Sequence, residues 1–284
     1  MNNKYTTVLT IAGSDGSGGA GIQADIKTFA ALECYGLSVI TALTAQNTMG
    51  INAVYPVSDT SVIEQFRSIA SDIPVDAVKI GMLGNASIIK TVALLLRELQ
   101  GTPPVILDTI LASSGGTPLL AEKAIQLMKE ELFPLTSLIT PNLPETARLL
   151  GMREVPETPE SIEEAAMKLL ESGTTSVLVK GGHGDGENCR DCLLYDNRFF
   201  WFSSKKISTG NNHGTGCTLS SAIAAFMARG EKMESAVEKA KAYLDDALLA
   251  GAAYRLGKGN GPLHHQCMQW KQGQTTPLGG RPME

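Results

Sequence analysis

The sequence predicts an α/β fold, in which a mostly parallel β-sheet is covered by helices on both faces. Short apolar runs alternate along the chain with segments that have the periodicity of amphipathic helices, the pattern of repeated strand–helix–strand units. The chain has 284 residues, of which 43% are hydrophobic, enough for a large core. Only 5% are aromatic whereas 29 residues are glycine, and this balance suits close helix–sheet packing better than a β-sandwich.

Five short apolar runs have the length and composition of buried strands. They lie at residues 5–12, 36–43, 76–80, 104–107 and 175–179. Parallel neighbours in a sheet require crossover connections, which are usually helical and almost always right-handed. We therefore expect these runs to form the parallel centre of one sheet.

Amphipathic segments predict the helices that connect these strands. Ile22, Ile26 and Phe29 recur at the spacing of one helical face. A later helix is predicted to begin at Thr158, a cap residue, followed by Pro159 at the first helical position. Its apolar face consists of Ile162, Ala165, Ala166 and Leu169.

The last third of the chain departs from this alternation. Two strand-like runs flank Asp196, Asn197 and Arg198, a hairpin signal, so we expect a small antiparallel extension of the sheet. Two helices are then expected at about 216–229 and 233–257.

The sequence shows no internal repeat and no linker, which predicts a single domain over residues 1–265. Residues 266–284 are polar, contain Gly and Pro and lack periodicity, so we expect a flexible tail there.

The composition excludes several classes of function. A net charge of -5 offers no electrostatic basis for nucleic-acid binding, and no apolar run reaches the length of a membrane span. The first residues lack the apolar core of a signal peptide, so a cytoplasmic protein with cysteines as free thiols is expected. Cys189 and Cys192 form a CxxC pair with no second pair to complete a zinc site, so a surface loop entering a strand is preferred there.

A glycine-rich turn that leads directly into an apolar helix, GNNHGTGCTLSSAIAAFMARG at 210–230, is the first candidate site. Free backbone N–H groups at the helix start, and the close approach that Gly214 and Gly216 allow, suit a phosphate or charge developing on one. Cys217 lies in this field, which favours its thiolate, so it is a candidate base for a substrate hydroxyl or a candidate nucleophile. The alternative is an ordinary helix start with a small buried cysteine.

The stretch GSDGSGGAGIQAD, residues 13–25, connects the first strand to the first helix. It is not a P-loop, because no lysine follows the glycines, and it is a weak dinucleotide motif. The glycines suit a loop that encloses a small ligand, with Asp15 and Asp25 as polar contacts. A tight turn with a helix-capping aspartate is the alternative.

Three further strand exits carry polar side chains, at the edge of an open α/β sheet where ligands bind. Asp108 ends a strand, Asn142 and Glu145 lie where Pro144 starts a helix, and Lys180 precedes two glycines. The carboxylate of Asp108 is suited to bind Mg²⁺ through water or to accept a proton, and the ammonium group of Lys180 is suited to bind a nucleotide phosphate. A Glu145 that merely satisfies the helix dipole and a solvated Lys180 are the alternatives.

Seven stretches together resemble the hydroxymethylpyrimidine kinase / phosphomethylpyrimidine kinase family of thiamine biosynthesis, within the ribokinase-like superfamily. They are, in order, TIAGSDGSGGAGIQADIKTFAAL, TALTAQNT, VKIGML, TPNLPE, VLVKGGH, HGTGCTLSSAIAA and GKGNGPLHH. The resemblance covers residues 5 to about 265 and implies a ribokinase-like fold. Its most specific part is HGTGCTLS, because most sugar kinases of the superfamily have Asp at the position of Cys217.

The resemblance implies ATP- and Mg²⁺-dependent phosphorylation of 4-amino-5-hydroxymethyl-2-methylpyrimidine and then of its monophosphate, by a cytoplasmic homodimer. It implies Cys217 as the general base and an anion hole formed by Gly214, Thr215 and Gly216. The residues that it implies for the pyrimidine are Gly13, Asp25, Gln46, Met82 and Ile110. Those that it implies for ATP and its phosphates are Asp108, Asn142, Glu145, Lys180 and Lys241, with Asp108 and Glu145 on Mg²⁺ through water.

Two alternatives stay open. A pyridoxal kinase of the same superfamily acts on a similar ring, but some pyridoxal-active relatives have another cysteine in the loop after Asp108, and residues 109–117 contain none. A binding protein that has lost catalysis is suggested by Thr109-Ile110-Leu111, where the family usually has Pro-Val-Met. The presence of Cys217, Glu145 and Lys180 argues against it.

Overall fold

The computed structural model describes residues 4–112, 119–182 and 187–267, and this part of the chain contains nine strands and eight α-helices. The strands are β1 Thr7–Asp15, β2 Tyr35–Asn47, β3 Gly50–Pro56, β4 Ala77–Ile80, β5 Val105–Leu107, β6 Leu138–Ile139, β7 Val177–Val179, β8 Asn188–Tyr195 and β9 Arg198–Lys205. The helices are α1 Gly21–Ala31, α2 Asp59–Ala70, α3 Ala86–Glu98, α4 Glu122–Glu131, α5 Leu143–Leu150, α6 Pro159–Leu170, α7 Thr215–Ala228 and α8 Met233–Gly251. Of the predicted tail, residues 268–284 lie outside the described residues, so the tail stays a prediction.

One sheet has the strand order β3-β2-β1-β4-β5-β6-β7-β8-β9. The six central strands are parallel, and β8 and β9 extend one edge in antiparallel pairing. The predicted hairpin is confirmed: Asp196 and Asn197 both have positive φ, 51° and 55°, as a two-residue turn between twisted strands requires. The predicted α/β architecture with an antiparallel extension is therefore confirmed.

The opposite edge of the sheet carries an antiparallel strand that the sequence did not predict. β2 continues past the predicted end at residue 43 to Asn47 and then turns into β3. Most β3 side chains are exposed, so the strand lacks the buried apolar run by which strands were located.

Helix α8 ends at Gly251, whereas the sequence predicted residue 257. Tyr254 and Leu256, which extended the apparent apolar pattern, are exposed. The segment that follows contacts the β2–β3 turn: the hydroxyl of Thr48 accepts hydrogen bonds from the backbone N–H groups of Lys258 (3.2 Å) and Gly259 (3.1 Å).

Two apolar layers cover the two faces of the sheet. The first contains Phe66 from α2 and Phe133 from a short 3-10 helix, and the second contains Phe29 from α1 and Tyr243 from α8. Within the described ranges, none of the helices has the length and apolar content needed to cross a membrane. Helix α7 begins at the carboxyl ends of the parallel strands, where a Cβ on its Gly216 would lie 3.4 Å from Oδ2 of Asp108, the residue after β5.

Candidate active site

Helix α7 places Cys217 in its first turn. Gly214, the residue before the helix, has φ of +91°, and a Cβ at this position would lie 1.9 Å from the carbonyl oxygen of Gly19. Only glycine fits both this left-handed backbone and this close approach. The glycines of the loop between β1 and α1 therefore pack directly against the turn that carries Cys217.

The electrostatic expectation for Cys217 is wrong. We expected the start of the helix to favour the thiolate, but burial raises the pKa of this thiol to about 11. The charge of Lys79 lowers the pKa, while the carboxylates of Asp25 and Asp108 raise it. Only 7% of the residue is exposed, and the loss of water outweighs the field of the helix start. Cys217 is therefore a neutral thiol at neutral pH.

An ion pair lies beside this first turn. Lys180, at the end of β7, places its ammonium nitrogen 2.9 Å from Oδ1 of Asp108, at the end of β5, and the hydroxyl of Thr140 donates to the same oxygen at 3.2 Å. A Cβ on Gly216 would lie 3.4 Å from both Lys180 Nζ and Asp108 Oδ2. The structure thus brings together side chains from β5 and β7 with the backbone at the start of α7, as the sequence predicted.

Asn142 and Glu145 form the capping box of α5 at the same edge. Asn142 Oδ1 accepts from the backbone N–H of Glu145 at 2.8 Å, and Glu145 Oε2 accepts from the backbone N–H of Asn142 at 2.9 Å. Burial raises the pKa of Glu145 to about 7, against the lowering effect of Lys180, while Asp108 raises it. The capping role, which is the alternative interpretation of Glu145, is present, and its carboxyl also interacts electrostatically with Lys180 and Asp108.

A second group of predicted residues lies around the β1–α1 loop. Gln46 Nε2 lies 3.1 Å from Nε2 of His213, which also lies 2.8 Å from Oδ2 of Asp15. A Cβ on Gly13 would lie 2.5 Å from the terminal methyl group of Met82. These contacts join the ends of β1, β2 and β4 to the loop that precedes α7.

Two predicted contacts have other partners in the structure. Asp25 is fully buried and binds Lys79, and Lys241 Nζ binds Asp191 Oδ2 at 2.6 Å. Asp191 Oδ1 also accepts from the backbone N–H of Gly181, so it links Lys241 to the residue after Lys180. Direct contact of Asp25 with a pyrimidine and of Lys241 with a nucleotide therefore stays a prediction.

Several residues of this region were not assigned from the sequence, namely Lys79, Thr140, Asp191 and His213. Lys79 had a signal, because a lysine inside the buried strand AVKI requires a buried counter-ion. Ile110 is partly buried, and its backbone N–H donates to the carbonyl of Asp108. Residues 113–118, which follow Ile110 closely in the chain, lie outside the described residues.

Comparison with known proteins identifies the family. The family model described as phosphomethylpyrimidine kinase matches residues 15–264. The hydroxymethylpyrimidine/phosphomethylpyrimidine kinase of Escherichia coli is 45% identical over 267 residues, which cover 94% of this chain and 100% of the relative.

Solved structures of kinases share the fold. Pyridoxal kinase from Staphylococcus aureus, in complex with pyridoxal, matches with a TM-score of 0.85 at 30% identity, over 93% of this chain and 95% of that one. Phosphomethylpyrimidine kinase from Clostridium difficile matches with a TM-score of 0.75 at 39% identity, over 85% and 99%. The ribokinase-like fold is therefore confirmed, and this chain belongs to the phosphomethylpyrimidine kinase family.

Proposed function

We propose that this enzyme transfers the γ-phosphoryl group of ATP to the hydroxymethyl group of 4-amino-5-hydroxymethyl-2-methylpyrimidine, and then phosphorylates the monophosphate, in thiamine biosynthesis. One observation carries the proposal: the Lys180–Asp108 ion pair lies against Gly216, in the helical turn that also bears Cys217. Phosphoryl transfer requires mainly positioning and stabilisation of charge. This arrangement brings together a cation, a carboxylate, backbone N–H groups at a helix start and a proton acceptor.

Cys217 acts as the general base in this proposal. Its thiolate form accepts the hydroxyl proton, the substrate oxygen bonds to the γ-phosphorus, and the bond from that phosphorus to the bridging oxygen breaks to release ADP. The backbone N–H groups of Gly214 and Gly216 bind the charge that develops on the transferred group, whereas that of Thr215 donates to the carbonyl of Asn212 at 3.4 Å. The thiol that predominates at neutral pH must first lose its proton, so the reaction depends on the minor thiolate fraction.

The donor set at the sheet edge fits Mg²⁺ that arrives with ATP. Among the described residues, no group of three or more His, Cys, Asp or Glu side chains forms a metal cage. Mg²⁺ needs only one or two carboxylates when phosphates and water complete its shell, and Asp108 and Glu145 supply them. A bound Mg²⁺ ion neutralises charge on the transferred phosphoryl group. Lys180 and Asn142 would orient the phosphates, with Lys241 held near them through Asp191.

Recognition of the pyrimidine falls to the group around the β1–α1 loop. The amide of Gln46 offers a donor and an acceptor, which match an amine beside a ring nitrogen. Gly13 supplies backbone contacts to the ring, and Met82 and Ile110 supply apolar contacts. Asp25 supports this region through its buried ion pair with Lys79.

The direct test is product analysis. Incubation with ATP, Mg²⁺ and the pyrimidine alcohol should give first the monophosphate and then the diphosphate by mass spectrometry, with matching ADP release. Binding of the pyrimidine by calorimetry without any ADP release would instead support the binding protein that has lost catalysis.

Pyridoxal is the second candidate substrate, because a pyridoxal kinase is among the structures that match this chain. The ring and the hydroxymethyl group are similar enough for the same catalytic groups to act on either compound. Comparison of kcat/KM for the two substrates decides between them. We expect the pyrimidine to be preferred, in line with the 45% identity to a hydroxymethylpyrimidine/phosphomethylpyrimidine kinase.

A cytoplasmic homodimer completes the proposal. Leu43 and Tyr55 pair across β2 and β3 near the open sheet edge, and they are 49% and 60% exposed. An apolar pair at an open edge is suited to covering by a second copy. The five cysteines lie within the described ranges and form no disulfide bond there, in line with a reducing compartment. Light scattering of the wild type and of Leu43→Glu tests the dimer.

A further inference from the structure

Lys79 is a fully buried lysine in the middle of β4, a central strand of the sheet. Its neighbours in the strand, Val78 and Ile80, belong to the core. Removing an ammonium group from water costs several kcal/mol even after relaxation of the protein, so a buried lysine without a role is unfavourable. The surroundings of this charge show where it acts.

The ammonium nitrogen of Lys79 lies toward the carboxyl edge of the sheet, where the candidate active site is. A Cβ on Gly81 would lie 2.9 Å from this nitrogen, two residues further along the chain. Both carboxylate oxygens of Asp25, from α1, lie 2.9 Å from the nitrogen. The absence of a side chain at Gly81 thus leaves room for the lysine to reach this edge.

The ion pair is tied to the helix that carries Cys217. The hydroxyl of Ser221 donates to Asp25 Oδ1 at 2.7 Å, and the hydroxyl of Thr10 donates to Oδ2 at 2.6 Å. Ser221 follows Cys217 by four residues, so the two side chains lie on the same face of α7, one turn apart. The contacts of Ser221 therefore fix the helical turn directly next to the thiol.

Four charged groups from four elements act on Cys217. They are Lys79 on β4, Asp25 on α1, Asp108 after β5 and Lys180 after β7. Among the charges that act on the sulfur, that of Lys79 favours the thiolate most strongly. We propose that Lys79 is a positioning residue for the reaction: through Asp25 and Ser221 it fixes the first turns of α7, and its charge stabilises the thiolate of Cys217.

The proton balance keeps Lys79 charged throughout. Before transfer the site holds an ammonium at Lys79, a carboxylate at Asp25 and a thiolate at Cys217. Transfer of the hydroxyl proton to sulfur leaves a neutral thiol, and Lys79 and Asp25 keep their charges as one neutral pair. This inference rests on the proposed role of Cys217 as base.

The test compares the alkylation rate of Cys217 with that of Cys34 in the same molecules. Cys34 is a matched internal control: it is equally buried, its pKa is also raised to about 11, and the charges acting on it are Arg229, Asp76 and Glu33. Iodoacetamide reacts with the thiolate, so peptide-resolved mass spectrometry between pH 7 and 10 reports the ratio of the two thiolate fractions. General loosening of the fold would raise both rates.

The variants are chosen to give changes of opposite sign. Lys79→Met with Asp25→Asn removes both charges and leaves no buried charge unpaired, and we expect the Cys217/Cys34 ratio and kcat/KM to fall about tenfold, one pKa unit. Asp25→Asn alone removes an opposing charge, so the Cys217/Cys34 ratio should rise, whereas kcat/KM should fall because the link from Lys79 to Ser221 is broken. Lys79→Arg, which keeps the charge, should stay closer to the wild type than the double variant. An unchanged ratio in both folded Asn-containing variants would overturn the proposal.

The two proposals fail in distinguishable ways. If the wild type phosphorylates the pyrimidine but the alkylation ratio does not change when Lys79 is replaced, the role of Lys79 is refuted and the proposed function stands. If the alkylation ratio changes as expected in the variants but the wild type has no kinase activity, the proposed function is refuted and the coupling between Lys79 and Cys217 stands.

Discussion

The ammonium of Lys180 lies 2.9 Å from Oδ1 of Asp108, although the two residues are 72 positions apart in the chain. Both side chains are largely shielded from solvent, and each ends a strand of the parallel sheet. A buried ion pair contributes little net stability, but removal of one partner leaves a buried charge without compensation. In the proposed reaction, the pair is therefore suited to holding two charges next to the phosphate.

Lys180→Met should weaken both catalysis and the fold. We expect kcat/KM for ATP to fall about 10²-fold, because a preorganised charge beside the phosphates is lost. The free energy of unfolding should fall by about 3 kcal/mol, because Asp108 is left unpaired. Steady-state kinetics and urea unfolding measure the two effects. The control is Lys168→Met, which breaks an exposed pair with Glu164 on α6 and should change neither quantity.

Cys217→Ala should lower kcat by about 10²- to 10⁴-fold, the range for loss of a general base, with little change in KM. Cys217→Asp should retain more activity than Cys217→Ala, because a carboxylate at the same position also accepts a proton. Coupled detection of ADP measures all three enzymes. Cys34→Ala is the control, since Cys34 packs against the carbonyl of Ala225 at the opposite end of α7. Nearly full turnover by Cys217→Ala would remove the base role.

The rate of the wild type should rise with pH through the neutral range. Because burial raises the pKa of Cys217 from 9.0 to about 11, the thiolate fraction grows about tenfold for each pH unit below that value. We expect log kcat/KM to rise from pH 7 to pH 9 in the wild type and to stay flatter in Cys217→Asp, whose carboxyl is ionised near pH 4 when unperturbed. Parallel profiles for the two enzymes would contradict this assignment.

His265 should make the fold sensitive to acid. Burial lowers the pKa of this side chain from 6.5 to about 4, and its Nε2 lies 3.1 Å from the hydroxyl of Thr218. The unfolded chain therefore binds a proton that the folded chain does not, so stability is lost as the pH falls from 6.5 toward 4.

The variant His265→Gln isolates this contribution, because glutamine keeps hydrogen-bonding capacity but does not titrate. Between pH 7.5 and 4.5 the wild type should lose about 2 kcal/mol more unfolding free energy than the variant. Urea unfolding at the two pH values supplies the comparison. Equal losses would show that the acid sensitivity arises elsewhere, in carboxylates that both proteins share.

Thr109→Val should stabilise the protein. Thr109 is fully buried, and its hydroxyl has no hydrogen-bond partner within the described ranges. Replacement by the isosteric valine removes an unsatisfied polar group and should add about 1 kcal/mol to the unfolding free energy. Thr10→Val is the matched control, because its equally buried hydroxyl binds Asp25 and its loss should cost about 1–3 kcal/mol. Destabilisation by both changes would contradict the account.

The sequence located five of the six parallel strands because their apolar runs are continuous, and it missed β6, which is only two residues long. β4 and β5 begin within one residue of their predictions, since both are buried on both faces. β3 was missed because an exposed edge strand has no such run. The end of α8 was placed six residues too late, because periodicity continues past Gly251 although packing does not.

The proximity of two candidate site residues could be predicted from their positions in the chain. Asp108 and Lys180 stand at strand ends, and strand ends of a parallel sheet meet. The pairing of Lys79 with Asp25 was not predicted, because Asp25 lies inside helix α1 and the sequence does not show which strand residue that part of the helix contacts. The prediction that Cys217 is a thiolate was wrong, because an argument from the helix start alone leaves out desolvation. Desolvation depends on packing, which only the structure shows.

The contact of Thr48 with Lys258 and Gly259 joins segments more than two hundred residues apart, and the carbonyl of Gly261 accepts from the backbone N–H of His213 at 3.0 Å. Residues 258–261 follow the last strand and the last helix of the described chain, yet they contact both the β2–β3 turn and the loop that precedes α7. The position of the turn that carries Cys217 therefore depends on a short stretch with no regular secondary structure of its own.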